Sequence, residues 1–144
     1  MEKMQLAGLE KFSKEVLIQL PRTIERAALV VLRGELGAGK TTFVQALAKE
    51  LGITDIVQSP TYVLMKSYPI QFRTFTTLIH IDAYRLNTPE EFKTLKPEEF
   101  LHDPKNLVVL EWPERVGHLL PTPNLTINFS SENAGEGERF IEIE

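Results

Sequence analysis

The sequence predicts an α/β fold: a mostly parallel sheet flanked by helices, with antiparallel strands that include a C-terminal β-hairpin. Three observations carry this expectation. Ala28-Leu29-Val30-Val31-Leu32 is an unbroken apolar run, the pattern of a strand buried on both faces. Gly34-Glu35-Leu36-Gly37-Ala38-Gly39-Lys40-Thr41 follows at once and spells G-x-x-x-x-G-K-T. From Thr42 to Leu51, residues Phe43, Val44, Leu47 and Leu51 recur at helical spacing. Strand, glycine-rich turn and helix in that order are the context of a nucleotide phosphate loop, so the fold is expected to be P-loop NTPase-like.

The other elements are read in chain order. Leu6, Leu9, Phe12, Val16, Leu17 and Leu20 predict an amphipathic helix over residues 4–20, ended by Pro21. Strand 28–33, the phosphate loop and a helix over 41–51 follow, with Gly52 placed to cap that helix. The stretch Ile53 to Pro60 is extended, and Tyr62–Tyr68 reads as a strand antiparallel to a neighbour. Residues 69–77 are assigned a turn or hairpin. Leu78-Ile79-His80-Ile81-Asp82 and Leu107-Val108-Val109-Leu110-Glu111 are two further apolar runs, each closing on an acid. Between them, Thr88-Pro89-Glu90-Glu91 signals a helix start with Thr88 at the cap, and Lys96-Pro97 breaks that helix before a short one over 97–102. Residues 113–120 make a short helix bounded by Pro113 and Pro121. Runs of alternating character at Leu125–Ser130 and Arg139–Glu144 predict the terminal hairpin. No repeat, linker or low-complexity tract interrupts the 144 residues, which are expected to form one domain, 1–144.

Composition narrows the function classes. Hydrophobic content of 42% and charged content of 25% are ordinary for a globular protein. No apolar run approaches the roughly 20 residues that cross a bilayer. The opening MEKMQLAGLEKF carries acidic groups and lacks an apolar core followed by a small-residue cleavage site, so a signal peptide is not expected and a cytoplasmic protein without a membrane role is. Zero cysteines exclude disulfides, thiolate metal sites and a cysteine nucleophile. A net charge of −4 has the wrong sign for a chain that grips nucleic acid unaided; a partner is expected to hold any nucleic acid involved.

The phosphate loop implies a nucleoside triphosphate and Mg²⁺. Backbone N–H groups converge on phosphate oxygens only where side chains stay out of the way, which is the use of Gly34, Gly37 and Gly39. The helix that begins at the loop aims its unpaired N–H groups and its dipole at the anion. Lys40 reaches the β and γ oxygens, and Thr41 offers its hydroxyl to Mg²⁺. Nucleotide contacts are therefore assigned to Glu35, Leu36, Gly37, Ala38, Gly39, Lys40, Thr41 and Thr42. Hydrolysis also needs a metal organised by a second acid and a positioned water. Asp82 and Glu111, each ending a buried run, are the candidates; ligands bind beyond the carboxyl ends of strands in open α/β sheets. One would hold Mg²⁺ and the other orient the water, and the sequence leaves the two roles open. A capping or salt-bridging acid at a strand end is the competing reading for each alone. Ser59-Pro60-Thr61 is placed where nucleotide switches sense a γ-phosphate, against the plainer reading of a turn. Arg33, Arg85 and Arg115 could each neutralise phosphate charge, against the plainer reading of surface ion pairs. Trp112, the only tryptophan, either packs near the nucleotide or belongs to the core. His80, His102 and His118 show no metal-ligand spacing.

Taken together, GELGAGKTTF at 34–43, SPTY at 59–62, HIDAYRL at 80–86 and LEWPER at 110–115 resemble the TsaE family, small bacterial ATPases of tRNA threonylcarbamoyladenosine biosynthesis. The resemblance runs from the first helix to the closing hairpin. It implies ATP and Mg²⁺ as cofactors, with Lys40 and Thr41 as phosphate and Mg²⁺ ligands and Asp82 as the Walker-B-like aspartate. It implies Glu111 as the glutamate associated with the metal, Trp112 beside the nucleotide, and Ser59, Pro60 and Thr61 as a switch-like loop. The partners it implies are a TsaD–TsaB heterodimer, in which TsaD transfers threonylcarbamoyl to N6 of adenosine 37. ATP hydrolysis would reset that complex between turnovers, and tRNA would be met only through it. Residues 69–77, rich in Thr and Phe, depart from the family pattern. A nucleotide-gated binding module and a small P-loop kinase are the competing classes. The kinase is disfavoured because no Arg-rich lid segment is present.

Overall fold

The computed structural model describes residues 2–22, 25–55, 57 and 64–144. Its frame is a seven-stranded sheet with the order β1-β7-β6-β2-β5-β4-β3. The strands are β1 (Glu2–Gln5), β2 (Ala28–Arg33), β3 (Met65–Phe72), β4 (Phe75–Asp82), β5 (Asn106–Glu111), β6 (Leu125–Ser130) and β7 (Glu138–Ile143). β2 runs parallel to both β5 and β6, and β4 runs parallel to β5. The outer pairs, β3–β4, β6–β7 and β1–β7, are antiparallel. The parallel centre with antiparallel margins is the predicted fold class.

The apolar run of β2 is buried from Ala28 to Leu32 because helical layers cover both faces of the sheet. Ala28, Val30 and Leu32 pack with α1 (Leu9–Gln19) and α2 (Lys40–Glu50) through Leu9, Phe12, Phe43 and Leu47. Leu29 and Val31 face the other way, against Phe92, Val116 and the short helix α3 (Pro97–Leu101) through Phe100 and Leu101. Alternation along each strand sets the site. In β4 and β5, Leu78, Leu107 and Val109 belong to the α2 face. His80, Asp82 and Glu111 continue the same alternation and so share that face at the strands' carboxyl ends.

Several elements differ from the sequence expectation. The predicted helix over 4–20 begins only at Leu9; residues Glu2–Gln5 pair with β7, and Leu6–Gly8 make one 3-10 turn. The exposed edge of the hairpin recruits the polar segment as a strand, which periodicity does not reveal. Residues 69–77 do form a hairpin, as expected, spanning the turn between β3 and β4, where Arg73 takes φ 55°. The helix expected from Thr88 is a 3-10 helix over Pro89–Leu95, and Thr88 makes no side-chain cap. Glu91 Oε2 instead accepts the Asn87 N–H at 3.3 Å, and Lys96 ends the helix in the left-handed region. Residues 113–120 form two 3-10 turns, Pro113–Arg115 and Gly117–Leu119. Helix 41–51 and the terminal hairpin stand close to their expected bounds. The predicted strand over Tyr62–Tyr68 is realised as β3, and its first two residues lie outside the described residues.

Candidate nucleotide site

The phosphate loop joins the carboxyl end of β2 to the first turn of α2. Gly37 and Gly39 take φ +79° and +105°, conformations that cost an L side chain about 1–2 kcal/mol. Gly34, at φ +150°, is also in a conformation that side chains rarely adopt, and it is needed for space as well. A Cβ there would stand 2.5 Å from the Phe129 carbonyl oxygen, so the loop passes against β6 where no side chain fits. The N–H groups of the first turn of the 11-residue α2 then face the space above the loop.

Lys40 is buried, with 4% of its surface exposed. Its ammonium donates to the Gly34 carbonyl and, at 3.4 Å, to that of Glu35, and it lies 3.8 Å from the centroid of the Trp112 ring. Burial pushes its pKa below the ordinary lysine value, while the negative charges of Glu111, Glu114, Asp82 and Glu35 oppose that shift. Four nearby carboxylates thus favour the cation that a polyphosphate would meet.

Thr41 Oγ1 donates toward both carboxylate oxygens of Glu111 at 3.3 Å. Glu111 is 2% exposed and its Oε2 also accepts from His80 Nε2 at 2.7 Å. Asp82 stands opposite Glu111 in the β4–β5 register and accepts the Tyr84 N–H at 3.0 Å. Trp112 follows Glu111 with φ 62°, a strained conformation for a bulky residue. The bend turns its indole over Lys40 and against Tyr84, with ring centroids 4.9 Å apart, while Arg115 stacks 5.4 Å from the Tyr84 ring.

These groups surround a cavity of about 200 Å³ lined by Leu36, Gly37, Ala38, Gly39, Lys40, Thr41, Thr42, Asp82, Glu111 and Trp112. Leu6 and Arg139 complete its wall from remote parts of the chain. Neither is marked by a sequence motif: β1 and β7 bring them to the loop, where Arg139 Nε donates to the Gly37 carbonyl at 3.0 Å. Glu35 keeps its place in the loop but turns its carboxylate to Ser131, accepting from its N–H at 2.6 Å and its hydroxyl at 2.8 Å. Those bonds hold the Glu35 pKa below the ordinary value, with Ser131 N–H the main cause. Arg33 forms a surface ion pair with Glu114 at 4.0 Å. His102 and His118 line a separate cavity with Arg26. Ser59, Pro60 and Thr61 lie outside the described residues.

The donor set fits Mg²⁺. Thr41 and Glu111 supply hard oxygen atoms in one place, and Asp82 lines the same cavity. Among the described residues no group of three His, Cys, Asp or Glu side chains is arranged to hold a metal. Mg²⁺ commonly binds through one or two protein oxygens together with phosphate and water, so a sparse protein set is what it uses.

The family model described as "Threonylcarbamoyl adenosine biosynthesis protein TsaE" matches residues 8–141. A TsaE protein of Treponema pallidum is 38% identical over 122 residues, covering 85% of each chain. One of Rickettsia felis is 34% identical over 141 residues, covering 97% of this chain and 78% of its own. A crystal structure of Bacillus subtilis YdiB superposes with a TM-score of 0.68 at 28% identity, covering 97% of this chain and 83% of that one. With the phosphate loop, the two strand-end acids and the parallel sheet all in place, the chain belongs to the TsaE family of tRNA threonylcarbamoyladenosine biosynthesis proteins.

Proposed function

We propose that the chain is the Mg²⁺-dependent, ATP-binding and ATP-hydrolysing subunit of the cytoplasmic machinery that makes N6-threonylcarbamoyladenosine at tRNA position 37. It would act on a TsaD–TsaB heterodimer, resetting that complex between turnovers, and would not itself transfer the threonylcarbamoyl group. The observation that carries this reading is the convergence of Lys40, Thr41 and Glu111 on one cavity at the N-terminus of α2. Family membership supports the pathway. The net charge of −4 suits a subunit that leaves tRNA to its partners. No helix of the described residues is long and apolar enough to cross a membrane.

In this reading, loop N–H groups and Lys40 bind the phosphates, and Lys40 exchanges its contacts with the Gly34 and Glu35 carbonyls for phosphate oxygens. Thr41 and Glu111 would hold Mg²⁺, whose charge offsets that developing on the phosphate oxygens during hydrolysis. Asp82, less buried than Glu111, orients the attacking water. Trp112 walls the cavity and excludes solvent beside Lys40. Base choice is assigned to ATP by the family alone. Glu111→Ala tests the metal assignment: ATP binding should survive better than hydrolysis, and hydrolysis equal to that of the unaltered chain would remove Glu111 from the mechanism.

A further inference from the structure

His80 is wholly buried on the α2 face of the sheet. A buried imidazole is costly unless its polar atoms are bonded. It makes one short hydrogen bond, from Nε2 to Glu111 Oε2 at 2.7 Å, and its buried Nδ1 has no partner among the described residues. A carboxylate only accepts, so His80 Nε2 is the donor in this bond. A histidine kept only for packing would be better replaced by an apolar residue. This one is instead aimed at a single oxygen of Glu111.

The contacts of Glu111 show why that aim matters. Its two contacts to Thr41 Oγ1 are long, 3.3 Å each. The His80 bond is the short one. Adjacent parallel strands set it, with Asp82 opposite Glu111 and His80 two residues back on the same face. We propose that His80 is a positioning residue: its Nε2–H anchors Glu111 Oε2 so that the carboxylate is presented to Thr41 and to a divalent cation. The inference rests on the reading of Glu111 as a metal ligand. Partners of this kind typically change metal affinity about 10–100-fold when removed.

The test is Mn²⁺ binding to the full chain loaded with ADP, read by electron paramagnetic resonance. ADP affinity in EDTA and the melting temperature are measured beside it. His80→Phe should weaken Mn²⁺ about tenfold or more while leaving metal-free ADP affinity in place. His80→Gln, whose amide nitrogen can stand where Nε2 stood, should recover most of the loss; His80→Asn, too short to do so, should not. Equal Mn²⁺ affinity in all three and the unaltered chain overturns the proposal. So does equal weakening in the Phe and Gln variants, which would reduce His80 to packing. Should the Phe variant not fold, the Gln–Asn comparison decides: Gln several-fold tighter supports the anchor, and equality overturns it. Glu111→Gln separates the two levels. Unchanged Mn²⁺ affinity there removes Glu111 as a ligand and the His80 proposal with it. Weakened affinity there beside an unaffected His80→Phe overturns only the role of His80.

Discussion

The Lys40 ammonium stands 3.8 Å from the centroid of the Trp112 ring, so the phosphate-loop cation and the only tryptophan touch. A cation on an indole face is worth about 0.5–2 kcal/mol and alters the ring's electronic surroundings. Movement of Lys40 toward phosphate should therefore change Trp112 emission, saturably, as ATP is added. Lys40→Ala should lose about 100-fold or more in affinity, given about 1.5–3 kcal/mol for each charge-assisted bond, and with it the signal. Unchanged emission at an ATP concentration where calorimetry shows full binding would contradict the contact's role.

Two loop glycines should separate stability from binding. Gly34→Ala drives a Cβ to 2.5 Å from the backbone oxygen of Phe129, so unfolding in urea should show a loss of about 2–4 kcal/mol. At Gly37 a Cβ would meet nothing within 4 Å, and only the φ of +79° is strained. Gly37→Ala should thus cost about 1–2 kcal/mol. Equal losses in the two variants would refute the assigned difference.

Phe43 connects three elements, its ring centroid 5.6 Å from that of Phe12 in α1 and 5.8 Å from that of Phe129 in β6. Phe43→Ala should cost about 3–5 kcal/mol. Ile18 on the same helical layer is 74% exposed, and Ile18→Ala should stay within about 0.5 kcal/mol of the parent. Denaturant midpoints check both.

The Glu35–Ser131 contact ties the phosphate loop to the segment after β6 and should be pH-dependent. Its carboxyl is held below the ordinary value, so the bond's stabilising contribution is present above the usual glutamate range. That contribution is lost as pH falls through the lowered value. Glu35→Ala should lower the melting temperature by about 2 °C near neutral pH, the scale of a solvent-screened charged hydrogen bond. The difference from the unaltered chain should shrink toward zero in acid. A difference that grows in acid would reverse the sign.

Much of this architecture is legible in the sequence because its signals are local. Ala28–Leu32 announces a strand covered on both sides, and the glycine pattern that follows fixes the turn and the start of α2. β1 is not legible: Glu2-Lys3-Met4-Gln5 has no strand composition and becomes a strand only because β7 offers it an edge. The same holds within the site. Glu111 and Asp82 are visible as acids closing apolar runs. Arg139 and Leu6 reach the cavity through the pairing of β7 with β1, a relation between residues more than a hundred positions apart. The His80–Glu111 bond depends on the parallel register of β4 and β5, which no motif encodes.

The most direct test of the central claim is ADP release from ATP with Mg²⁺, by the chain alone and with a TsaD–TsaB pair, beside Lys40→Ala and Glu111→Ala. The account predicts slow release by the chain alone, acceleration by the pair, and loss of release in both variants. ATP-dependent association with the pair but no ADP release in any condition would contradict it, leaving a nucleotide-gated binding module in place of an ATPase.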